Sequence, residues 1–66
     1  MPDGIVLWFN DIHGTGKIRG DDGSYLKVTH KSLQHDGYKI LDEGQRVRFE
    51  AVMGKSGLEA NDVVLI

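Results

Sequence analysis

Short apolar or alternating runs, each closed by glycine, asparagine or aspartate, fill the chain, and no stripe of helical period is long enough to compete with them. Ile5-Val6-Leu7-Trp8-Phe9 joins β-branched to aromatic residues and stops at Asn10-Asp11, which predicts a strand followed by a turn. A second run covers about Thr15 to Arg19 and enters Gly20-Asp21-Asp22-Gly23, where Asp-Gly signals a hairpin. Tyr25 to His30 alternates with period two, so Leu26 and Val28 point inward while Lys27 and Thr29 share the other face. Lys31-Ser32-Leu33-Gln34 suits one helical or 3₁₀ turn, and residues 34–44 form a longer connection anchored by Ile40 and Leu41. Gln45 to Met53 alternates again, with Val47, Phe49 and Ala51 expected inward and Arg46, Arg48 and Glu50 outward. Gly54-Lys55-Ser56-Gly57 reads as a loop, and Leu58 to Ile66 supplies a fifth strand with Val63 and Leu65 on one side.

Five such strands in a flat sheet would leave one face uncovered. Curling covers the apolar faces and removes the unpaired edges, so the predicted fold is all-β: a small five-stranded antiparallel barrel over residues 1–66, without linker or repeat. At 66 residues the chain has room for one thin core and none for a deep catalytic cleft. The absence of cysteine excludes disulfides and thiolate zinc sites, leaving regular packing to supply stability. No apolar run nears the roughly 20 residues needed to span a bilayer. Met1-Pro2-Asp3-Gly4 also lacks the basic start of a secretory signal, so a soluble, cytoplasmic protein with no membrane partner is expected.

The net charge of −2 does not announce a nucleic-acid binder, but its distribution is uneven. Residues 13–31 set four cations (Lys17, Arg19, Lys27, Lys31) against Asp21 and Asp22, a surplus of two, so the remainder carries −4. A local positive field therefore sits on an acidic body.

Several segments together carry a family likeness: Gly4-Ile5-Val6, Trp8-Phe9-Asn10, Gly14 and Gly16 before Ile18, Asp21-Asp22-Gly23, Asp36-Gly37-Tyr38-Lys39, Glu43-Gly44-Gln45-Arg46-Val47, Phe49-Glu50 and Ala60-Asn61. Over its whole length the chain resembles the bacterial cold-shock proteins, minimal cold-shock domains with the oligonucleotide-binding (OB) barrel fold. The resemblance implies binding of single-stranded RNA or DNA through two short motifs on the outer wall. The first reads Lys-Gly-Phe-Gly-Phe-Ile in the family and His13-Gly14-Thr15-Gly16-Lys17-Ile18 here. The second reads Val-Phe-Val-His-Phe and is here Leu26-Lys27-Val28-Thr29-His30. Inward positions keep the pattern, while outward rings are exchanged for Thr15, Lys17, Lys27 and His30, and an imidazole for Thr29.

Bases are held by stacking on aromatic faces and by cations that follow the phosphates. On that basis the resemblance assigns the nucleic-acid contacts to Trp8, His13, Thr15, Lys17, Lys27, Thr29, His30 and Tyr38. Trp8 and Tyr38 are the remaining rings for stacking, and Lys17, Lys27 and His30 serve phosphates or base edges. Strict alternation would turn Trp8 inward with Val6; the resemblance places it on the ligand face, which a bulge in a coiled strand permits. Because exchanges gather on one wall, the expectation is a binding face diversified by divergence or by engineering of the scaffold, with weakened nucleic-acid affinity. The alternative is that this altered face takes a protein or other ligand. Self-association through Leu7, Tyr25 and Leu58 is a third reading.

Other chemistries find no support. His13, His30 and His35 show no metal-ligand spacing, and no cofactor is expected. Gly16-Lys17 and Gly54-Lys55 are preceded at the Walker glycine position by Asp11 and Phe49. The adjacent pairs Asp21-Asp22 and Asp42-Glu43 point apart and form no acid–base couple, so an enzyme is not expected.

Overall fold

The structure is a computed structural model that describes residues 1–33 and 41–66. It contains β1 (Asp3–Asn10), β2 (Thr15–Gly20), β3 (Tyr25–Thr29), a 3₁₀ turn at His30–Ser32, β4 (Arg46–Gly54) and β5 (Gly57–Leu65). The strands close into a barrel in the order β1-β2-β3-β5-β4. The 3₁₀ turn begins at His30, one residue earlier than expected, and ends at Ser32, where Leu33 leaves it to bridge Val63.

The joints of the barrel are antiparallel at every seam but one. β3 meets β5 in parallel at Lys27 and Glu59, and the Leu33–Val63 bridge continues in the same sense. The reason is topological: strand direction cannot alternate all the way round a closed ring with an odd number of strands, so one of the five joints must be parallel.

Val6, Ile18, Leu26, Val28, Leu33, Leu41, Val47, Phe49, Ala60 and Val63 form the core, and Phe9 and Leu65 pack against it. No polar or charged side chain is buried among the described residues. Ala51 corrects the predicted inward set. It pairs with the buried Ala60 but lies at the barrel rim, where a groove of about 220 Å³ shared with Pro2 and Phe49 leaves its methyl group exposed.

Two bulges bend the wall. On β1 the pairing with β2 passes from Val6↔Ile18 to Trp8↔Lys17, so Leu7 is the extra residue and the alternation reverses after it. On β5, Asp62 and Val63 together oppose Phe49, since pairing passes from Arg48↔Val64 to Glu50↔Asn61. Asp62 takes the left-handed conformation there, with φ 52°, which a short polar side chain tolerates better than most.

Two bidentate ion pairs brace the end of the barrel: Arg46 donates to Asp21 at 2.8 and 3.2 Å, and Arg48 to Asp3 at 2.7 and 3.2 Å. Hydrogen bonding from Arg48 holds the Asp3 carboxyl below its ordinary pKa, and Arg46 does the same for Asp21. Hydrogen bonds from Ser24 lower Asp22. A depressed folded-state pKa stabilises the fold above the unfolded carboxylate value near 3.9 and is lost as pH falls through the folded value. Thermal melts should therefore show stability dropping as pH falls below about 4. Asp3→Asn should lie below the parent at neutral pH and converge with it in acid; a constant offset would contradict the assignment.

Candidate functional site

The outer wall of β1, β2 and β3 is built by alternation plus the β1 bulge. Reversal after Leu7 turns Phe9 toward the core and leaves Trp8 47% exposed on the wall. The ring's place thus depends on one unpaired residue.

Register then sets the neighbours. Trp8 on β1 pairs with Lys17 on β2, and Lys17 pairs with Lys27 on β3, so one row crosses three strands. Thr15 sits between Asn10 and Thr29 in a row beside it. Lys17 and Lys27 are exposed and directly opposite, a like-charge arrangement that destabilises a sheet by up to about 1 kcal/mol. Among the described residues Arg46 and Arg48 pair with carboxylates, whereas neither lysine does. An anion laid between the lysines would relieve that repulsion.

The groove along this wall has a volume of about 330 Å³ and is bordered by Trp8, Thr15, Lys17, Tyr25, Lys27 and Ser56, with Gly16 in its floor. A Cβ at Gly16 would collide with the Trp8 carbonyl oxygen and the Phe9 ring. Glycine is therefore what lets β1 approach β2 closely enough to place Trp8 against the groove.

At the far end, the Asn10 side-chain Oδ1 accepts from the backbone N–H of Ile12 and of His13, at 3.0 and 3.1 Å. The loop closes with Gly14 at φ 67°. The His30 ring lies over Gly14 with Nδ1 3.4 Å from its carbonyl oxygen, and the His30 backbone N–H donates to that oxygen at 2.8 Å. Thr29 and Ser32 hydroxyls are 3.5 Å apart, and Ser32 donates to the Asn61 Oδ1 at 3.2 Å.

Of the residues expected to make contacts, Trp8, Thr15, Lys17, Lys27 and Thr29 share one wall, and the exposed His13 and His30 stand at its loop end. Tyr38 and the expected anchor Ile40 lie outside the described residues. Among the positions expected to mediate self-association, Tyr25 and Leu58 are exposed and Leu7 is half-buried. Sequence reasoning overlooked Tyr25 and Ser56, which border this groove. Tyr25 is 58% exposed and borders the groove. Its signal was available, because period two puts Tyr25 on the face of Lys27.

Among the described residues no three His, Asp or Glu side chains converge in a way that could hold a metal ion, and no helix is long and apolar enough to cross a membrane.

Comparison with known proteins agrees with the barrel fold. Residues 2–66 match the family model described as the "Cold-shock" DNA-binding domain. The chain is similar to the major cold shock protein CspA of Pseudomonas aeruginosa, 44% identical over 64 residues that cover 97% of this chain and 93% of that protein. It is 46% identical to the cold shock protein CapB of Pseudomonas syringae pv. tomato over 63 residues, 96% of this chain and 91% of the relative. With the cold shock protein CspD of Bacillus subtilis the identity is 44% over 64 residues, 97% of each chain.

Proposed function

Because the chain belongs to the cold-shock domain family, whose members bind nucleic acid and catalyse no reaction, we propose that it holds single-stranded RNA or DNA along the outer wall of β1, β2 and β3 with reduced affinity. The observation that supports this reading most is the single row in which an exposed Trp8 stands beside two lysines that form no ion pair with a carboxylate among the described residues. Bases stack on Trp8 and, by the family resemblance, on Tyr38; phosphates lie between Lys17 and Lys27, and His30 serves the loop end. The reduced affinity follows from the side chains on this wall and at its loop end. Thr15, Lys17, Lys27 and His30 stand where the family's motifs carry rings, and each base stack is worth about 1–3 kcal/mol. Two missing stacks would lower affinity by a factor of about 30 or more. Lysines replace part of that loss with contacts that depend on salt.

A titration with oligothymidine at low and high salt tests the reading. Quenching of Trp8 that weakens steeply as salt rises is expected. No quenching at high micromolar oligonucleotide in low salt would overturn it.

The opposed lysines give a second test, in which stability and binding move in opposite directions. Lys17→Thr relieves the repulsion and places a strand-favouring residue on the wall, so the fold should gain up to about 1 kcal/mol in urea denaturation. The same change should reduce the slope of log affinity against log salt by about 0.7, the contribution of one phosphate contact on a single strand.

A further inference from the structure

A second groove, of about 410 Å³, adjoins the first, and Tyr25 borders both. Ile5, Arg19 and Arg46 line it with Tyr25, and register sets these four in one row across β4, β1, β2 and β3. Arg46 is oriented by its bidentate pair with Asp21, and Arg19 is exposed without a carboxylate partner among the described residues. With Asp21 counted, the groove keeps a surplus of one positive charge. An aromatic face and a spare guanidinium, here beside the apolar Ile5, are the groups that hold a nucleotide, by stacking and by a charge-assisted phosphate contact.

Resting on the reading of the wall as a nucleic-acid face, we infer that the bound strand continues past Trp8 onto Tyr25, and that Tyr25 and Arg19 form an additional nucleotide site. The two rows make this continuous. Lys17 and Arg19 are two residues apart on β2, as Tyr25 and Lys27 are on β3, so each pair spans about 6.6 Å. That distance is on the scale of one extended nucleotide. The occupant is therefore the next nucleotide of the same strand: its base lies on Tyr25 and its phosphate faces Arg19.

The site predicts a dependence on ligand length. Labelled oligothymidines from about three to about ten nucleotides would be titrated by fluorescence anisotropy against the parent, Tyr25→Leu, Tyr25→Phe and Arg19→Gln. Tyr25→Leu should bind the longer oligonucleotides about tenfold more weakly and the shortest one as the parent does. Tyr25→Phe, which keeps the ring, should retain parental affinity at every length. Arg19→Gln should lower the salt slope by about 0.7 with long oligonucleotides only. Thermal melts accompany each variant, and because both side chains are exposed, parental melting is expected. If Tyr25→Leu and Arg19→Gln bind every length like the parent, or weaken all lengths equally, the additional site is wrong while the wall reading stands. If the parent binds no oligonucleotide, both fall together.

Discussion

Truncating Phe49 to alanine is expected to remove about 3–5 kcal/mol of stability, the cost of emptying a fully buried aromatic position. The ring is 1% exposed and among the largest fully buried side chains of the barrel. Its neighbourhood cannot collapse easily, since Val63 opposite it belongs to the β5 bulge and is itself fully buried. Domains of this size hold about 3–10 kcal/mol in total, so the variant should be close to unfolding at room temperature. Urea denaturation at low temperature measures the loss. Met53→Ala serves as the comparison: its side chain is 75% exposed, so its effect should stay within about 0.5 kcal/mol. Equal midpoints for the two variants would show that the core is not centred on Phe49.

Trp8→Ala should have the largest effect on binding. Loss of one stacking face costs about 1–3 kcal/mol, or roughly 5- to 150-fold in affinity. Trp8 is the single tryptophan of the chain, so its own fluorescence vanishes with it and a labelled oligonucleotide must report binding. Trp8→Phe should recover most of the affinity, because a ring of any kind offers a face to a base. Stability should change far less than in Phe49→Ala, since about half of the Trp8 surface is already in water. If the alanine variant binds like the parent, base stacking on Trp8 is excluded and the lysine row alone must carry the contact.

The two residues illustrate how differently sequence reasoning fares with core and site. Phe49 was visible from simple alternation with Val47, because a strand half-buried against a core has to repeat every second residue. Trp8 was not, since the same alternation from Val6 would have turned it inward; the family resemblance placed it outside, and the Leu7 bulge is the physical device that does so. Ala51 shows the opposite failure. Its register follows from alternation, yet a face that continues past the barrel rim has nothing among the described residues to cover it. Tyr25 was legible as an outward residue but not as part of a site, because it joins the Trp8 groove only through the pairing of three strands.

Alternation and turn chemistry are local, and they were sufficient to set the five strands, the Asp-Gly hairpin and most of the inward residues. An odd number of strands in a closed ring even implies the parallel seam, although counting positions along a chain does not say which pair forms it. Strand register and the Leu7 bulge decided the rest: that Lys17 faces Lys27, that Trp8 heads their row, and that Tyr25 stands between two grooves. These are relations between residues distant in sequence. They depend on how strands register against one another, and a single unpaired residue is enough to reverse them.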